Sequence, residues 1–249
     1  MTIQTDKSIK EKIVLALDVD TIDEAKKLIN ELKDYVGVFK VGLQLYTKCG
    51  NEIIKFMNDE NIKYFLDVKL YDIPNTVKEA SKNIIEKGAC FFNVHALGGY
   101  KMMNEAVNAA NEAYFKKTNQ NETKPIVLGV TILTSINDDV LHNEFKIENQ
   151  AEDLVITLAK LAKEAGLTGV VASPLEVKKI KEVCGKEFKV LCPGIRPAFS
   201  NVDDQKRIST PKEAIKNGAD FIVLGRAVTK EINKIEVMKK IYKEILFND

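Results

Sequence analysis

Two residues of opposite charge stand two apart in FLDVKLYDIPNT: Asp67 and Lys69, with Asp72 three positions further on. Upstream, Asp18 stands in LALDVD and Lys40 in VFKVG, each in or at the end of an apolar run. An unpaired charge is costly to bury, so charges in such places need one another. Residues two apart on a strand share a face. On an inner face, Asp67 and Lys69 could meet Asp18 and Lys40 from neighbouring strands in an alternating acid–base array. Buried ion pairs add little net stability, which leaves chemistry as the better reason for them. Among carboxylates a lysine is favoured as the ammonium, which argues against a Schiff-base role needing the neutral amine. A fixed ammonium can instead stabilise a developing carbanion and give it a proton. A carboxylate fixed beside a substrate carboxylate repels it, and loss of carbon dioxide relieves that repulsion.

A second group of residues points to an anion. Gly194, Arg196 and Gln205 follow one apolar run, and Gly225 and Arg226 follow the next. A glycine leaves its backbone N–H open to a ligand, and an arginine offers a planar fork to phosphate oxygens. His95 ends another run, in FFNVHALGG, and reads as a hydrogen-bonded structural histidine because Lys69 already fills the acid role.

These residues need elements to position them. Short apolar runs lie at residues 13–17, 38–41, 64–68, 90–94, 126–130, 169–172, 188–191 and 221–224. They recur about every 30 residues, the length of a βαβ unit. Helical patterns lie between them, among them 21–32, opened by a Thr21/Glu24 capping box, 75–87 and 151–164. Gly88, Gly166 and Gly218 stand where helices should end. Near-continuous apolar strands imply a sheet buried on both faces. Eight units in 249 residues predict an α/β chain folded as a single (β/α)8 TIM barrel, one domain over 1–249. An open doubly wound sheet is the alternative, but DVDTIDEA after the first run is no glycine-rich dinucleotide turn. The charged and phosphate-suited residues lie at the ends of their strands or just after them, on the face where barrel enzymes keep their sites. Two long connections, 131–150 and 193–210, belong to the same face, and loops of that length are usually functional.

Composition narrows the partners. Thirty-seven lysines and arginines against 36 acidic residues leave a net charge of +1, which gives no reason to expect nucleic acid or a membrane surface. No apolar stretch is long enough to span a bilayer, and MTIQTDKSIKEK lacks the apolar core of a secretory signal. Cys49, Cys90, Cys184 and Cys192 form no C-x-x-C, and with two histidines a zinc site is poorly supplied. A cytoplasmic protein without metal is expected.

DVKLYDIPNT matches the D-x-K-x-x-D-I-P-x-T signature of the orotidine 5′-phosphate decarboxylases, and LALDVD, FKVG, VTILTS, PGIRP, DDQKR and VLGRAV stand around it in family order. The chain resembles that family over nearly its whole length. The resemblance implies conversion of orotidine 5′-phosphate to UMP and carbon dioxide, in pyrimidine biosynthesis, with no metal or cofactor. It implies that Lys69 protonates C6 and that Asp67, Lys40 and Asp72 complete the charged array. Asp18 and Lys40 would bind ribose hydroxyls. Thr134, or neighbouring Ser135, would face the pyrimidine. Arg196, Gln205, Gly225 and Arg226 would hold the phosphate. It further implies a homodimer in which Asp72 and Thr76 reach the partner's site. Related barrels acting on sugar phosphates share D-x-K-x-x-D but use Mg²⁺; PGIRP and DDQKR favour the pyrimidine substrate. A non-catalytic phosphate-binding barrel would have little use for Asp67 and Lys69.

Overall fold

The computed structural model describes residues 6–117, 124–199 and 209–246. Among them are eight strands: β1 (Ile13–Ala16), β2 (Val38–Gly42), β3 (Tyr64–Leu70), β4 (Phe91–His95), β5 (Ile126–Val130), β6 (Gly169–Val171), β7 (Lys189–Cys192) and β8 (Phe221–Leu224). They pair in chain order as a closed barrel. Every pairing is parallel, and β8 closes on β1 through Ile13↔Ile222 and Leu15↔Leu224. This is the expected barrel. Parallel neighbours need crossovers, and helices supply them.

The local signals explain the helices. Ile22–Leu32 starts at a capping box in which Thr21 and Glu24 satisfy each other's backbone N–H. Thr210 and Glu213 do the same for Pro211–Lys216, which also has proline in its first turn, where a missing N–H costs nothing. Gly88, Gly166 and Gly218 take φ of 97°, 87° and 103°, so the left-handed turns after their helices need glycine. Two features go beyond the simple alternation of strand and helix. The crossover after β2 carries two helices, Leu43–Cys49 and Asn51–Asp59. The long connection after β5 holds a short helix, Asp138–Asn143, capped by Asn137.

Strand parity sorts the core into two layers. Ile13, Leu15 and Leu17 pack outward against helices, while Val14 and Ala16 face the barrel interior. In the same way Val38, Phe65, Phe91, Leu128, Leu191 and Val223 fill the interior. Phe91 sits between Phe65, 6.0 Å away, and Phe221, 4.9 Å away in an edge-on contact. These rings floor the barrel, and such pairs add roughly 0.5–1.5 kcal/mol beyond their burial. Toward the N-terminal end, Asp220 accepts from Lys181 Nζ at 2.6 Å, Lys189 Nζ at 3.1 Å and the Val190 N–H at 2.9 Å. That charge cluster satisfies itself, as a structural staple should.

Candidate active site

One step up each strand from the apolar floor, parity puts a different set of residues inside. Asp18 follows Ala16, Lys40 follows Val38, Asp67 follows Phe65 and Asn93 follows Phe91, each two positions on. The chemistry expected from the sequence is assembled there. Lys40 Nζ lies 3.4 Å from Asp18 Oδ1 and 3.3 Å from Asp67 Oδ2. Lys69 Nζ lies 2.7 Å from Asp67 Oδ1. Asp18, Lys40, Asp67 and Lys69 thus form one continuous chain of alternating charge. Burial acts to raise the Asp67 carboxyl. The charges of Lys40 and Lys69, with hydrogen bonds from Lys69 and Asn93, outweigh it and hold the group below the ordinary carboxylate range.

Two features of this array depart from the simple strand picture. Lys69 is not in regular extended backbone: its φ is +50°, and the β3–β4 register slips between Leu66 and Leu70. A left-handed lysine is an uncommon conformation that surrounding contacts must maintain. Asn93, 1% exposed, supplies them: its Oδ1 accepts the Lys69 backbone N–H at 2.8 Å, and its Nδ2 donates to Asp67 Oδ1 at 2.7 Å. Asn93 is absent from the residues picked out by sequence, although a lone amide in an apolar strand at interior parity was the available signal. Gly42 is a second such omission. A Cβ there would come within 2.8 Å of Lys40 Nζ, so the glycine keeps open the space the ammonium occupies.

Two cavities meet over the array. The smaller, about 240 Å³, is lined by Lys40, Asp67, Lys69 and Asn93 on one side and by apolar residues such as Val130, Ile132 and Leu133 on the other; Thr134 and Ser135 both reach it. The larger, about 470 Å³, is lined by Asp18, Lys40, Arg196, Gly225 and Arg226. Lys40 and Asp67 border both. Arg196 is steadied by its backbone: its N–H donates to Ser209 O at 3.1 Å, across an isolated bridge that pairs Ile195 with Ser209. Gly225 has φ −137°, and an added Cβ would meet only Ala16 Cβ at 4.0 Å, so packing does not demand glycine there. Gln205 lies outside the described residues.

Asp72 and Thr76 stand apart from the cavities of their own chain. Both are exposed, and Asp72 Oδ1 accepts the Ile73 N–H at 2.7 Å. Exposed Tyr71 (61%) and Ile73 (68%) stand on either side of Asp72, and Thr76 lies in the first turn of the helix Pro74–Glu86. His95 departs from the expected hydrogen-bonded histidine. Its Nδ1 is buried with no partner among the described residues, and its ring rests on Tyr71 at 5.5 Å. Burial, aided by the Lys69 charge, pushes its imidazole below the ordinary histidine value against the opposing pull of Asp67. The four cysteines are free thiols, and burial pushes Cys90 up to about 12. No helix among the described residues is long and apolar enough to cross a membrane.

A closed parallel barrel with a charged array on the C-terminal rim, opening into two confluent cavities, defines a (β/α)8-barrel enzyme. The chain belongs to the orotidine 5′-phosphate decarboxylase / HUMPS family, whose family model matches residues 11–241. It is 45% identical over 238 residues to the orotidine 5′-phosphate decarboxylase of Syntrophomonas wolfei, covering 95% of this chain and 98% of that one. It is 45% identical to the enzyme of that name from Geotalea daltonii, covering 94% and 96% of the two chains. The crystal structure of orotidine 5′-phosphate decarboxylase from Lactobacillus acidophilus superposes with a TM-score of 0.82 at 38% identity, over 94% of this chain and 99% of that one.

Proposed function

We propose that this chain is a carboxy-lyase that converts orotidine 5′-phosphate to UMP and carbon dioxide, as one catalytic domain and without a cofactor. The observation that carries the reading is the Asp67–Lys69 pair, 2.7 Å apart, with Asp67 bordering both cavities and Lys69 lining the smaller one. In the proposed pose the pyrimidine enters the smaller cavity, its apolar wall against the ring faces and Thr134 or Ser135 at its polar edge. The ribose lies over Asp18 and Lys40, and the phosphate enters the larger cavity toward Arg196, Gly225 and Arg226. Gln205 would join them on the family pattern.

This pose puts C6 beside the array. The C6–carboxylate bond breaks, its electron pair stays on C6, and carbon dioxide leaves. The Lys69 ammonium then gives C6 a proton. Asp67, kept ionised, repels the departing carboxylate and holds Lys69 in place. Because the array is already assembled, little reorganisation accompanies the charge development, the condition under which fixed charges are most effective. Phosphate contacts far from C6 can be used to orient the base over the array.

The outward placement of Asp72 and Thr76, beside exposed Tyr71 and Ile73, supports a homodimer in which both residues complete the partner's site. The free cysteines fit a cytoplasmic setting. The test is turnover of orotidine 5′-phosphate followed by ultraviolet absorbance with EDTA present, for wild type and Lys69→Ala. Loss of orotidylate absorbance in the wild type alone is the expected result. No wild-type turnover, with activity on a sugar phosphate once Mg²⁺ is added, would overturn the proposal.

A further inference from the structure

Among the described residues, Asn93 is the buried polar side chain that touches both members of the Asp67–Lys69 pair, and it does so through different atoms. Its amide NH₂ donates to the Asp67 carboxylate, sharing Oδ1 with Lys69 Nζ. Its carbonyl accepts the Lys69 backbone N–H at the point where that backbone turns left-handed. Regular β3–β4 pairing cannot serve that N–H, because the register slips over the same residues. Left without Asn93, the N–H would lose its partner and the turn would lose its restraint. The side chain is 1% exposed, so water is a poor substitute.

We infer that Asn93 is a positioning residue for the reaction: it fixes the Lys69 ammonium and the Asp67 carboxylate relative to each other and keeps Asp67 ionised. The inference rests on the decarboxylase reading above. Its chemistry requires an amide. A donor is needed toward a carboxylate and an acceptor toward an N–H, and one side chain must supply both from one strand position. The substitution Asn93→Asp keeps the acceptor but sets a second carboxylate against Asp67. The substitution Asn93→Ser keeps a donor on a side chain too short to span both partners.

The test uses the full chain with Asn93→Asp and Asn93→Ser, after wild-type turnover of orotidine 5′-phosphate has been established. Failure of that wild-type step overturns the decarboxylase reading and is distinct from failure here. For both variants kcat should fall about 100-fold, the usual result of misplacing a reacting group by around an ångström. KM should move less than about threefold, since the phosphate contacts stay intact. The acid limb of the kcat/KM profile should shift to higher pH, further for Asn93→Asp, as Asp67 loses a hydrogen bond and gains a like charge. A loss confined to KM, a kcat within about threefold of wild type, or an unmoved acid limb in a folded variant would overturn the inference. Recovery of both variants only as unfolded chain would make Asn93 a folding element and overturn it equally.

Discussion

Replacing Lys40 by methionine tests whether the array is held by its charges. The ammonium stands 3.3 Å from Asp67 and 3.4 Å from Asp18, and the methionine keeps most of the apolar stem. The two arms differ in weight. The Asp18 side chain is 49% exposed, so that arm is worth under about 1 kcal/mol. The Asp67 arm joins side chains 12% and 11% exposed, and at 3.3 Å its gross attraction is about 5 kcal/mol with an effective dielectric of about 20. Breaking one side of a buried pair costs about 3–5 kcal/mol. Asp67 keeps Lys69 and Asn93, which places the expected loss at the lower end, about 3 kcal/mol at neutral pH. The pH dependence follows from the sign of the Asp67 shift. Its carboxyl is lowered on folding, so its stabilisation is complete above the ordinary carboxylate value and fades as pH falls through the folded value. Urea denaturation from neutral pH downward should show a deficit of about 3 kcal/mol that stays level to about pH 4 and shrinks below it. Turnover should fall at least about 100-fold over the same neutral range. A deficit under about 1 kcal/mol at neutral pH, or one that persists unchanged in acid, would refute the electrostatic account.

Arg226→Ala should lower kcat/KM for orotidine 5′-phosphate far more than about tenfold without touching C6; a smaller loss, under about 1.4 kcal/mol, would remove phosphate binding from its role. Lys69→Ala and Asp72→Ala chains, each inactive alone, should regain about a quarter of wild-type activity when mixed and reassembled, because about half the dimers are mixed and each of those has one intact site. No recovery on mixing would confine Asp72 to its own chain. Gly42→Ala should fold with near-normal stability but lose about tenfold or more in kcat as its methyl displaces Lys40 Nζ; unchanged kcat would show that the ammonium relaxes without cost. A thiol reagent at about pH 8 should leave Cys90 unmodified in the folded chain, since burial raises its pKa to about 12, and modify it once urea unfolds the barrel.

Much of the site was legible because strand and barrel geometry are periodic. Apolar runs about 30 residues apart predict eight parallel strands, and the charged residues at their C-terminal ends then fall on one rim. Asp18, Lys40 and Asp67 were found on that basis. The same parity would have picked out Asn93 and Gly42, but an amide and a glycine carry no charge, and neither stands out until a neighbour needs it. The two-residue spacing of Asp67 and Lys69 predicts a contact across one face of a regular strand; the contact forms, but from left-handed backbone at a point where the ladder slips.

The residues alone determined the barrel, the rim and the identity of the charged groups, because apolar period, caps and turn glycines act over short stretches of chain. Only the tertiary structure decided which groups touch. It joined Lys40 to both carboxylates, placed Asn93 between Asp67 and Lys69, opened two cavities over the array, and left Asp72 and Thr76 exposed outside the lining of both. Such distances depend on how eight separate strands are staggered around one axis, and no local segment contains that information.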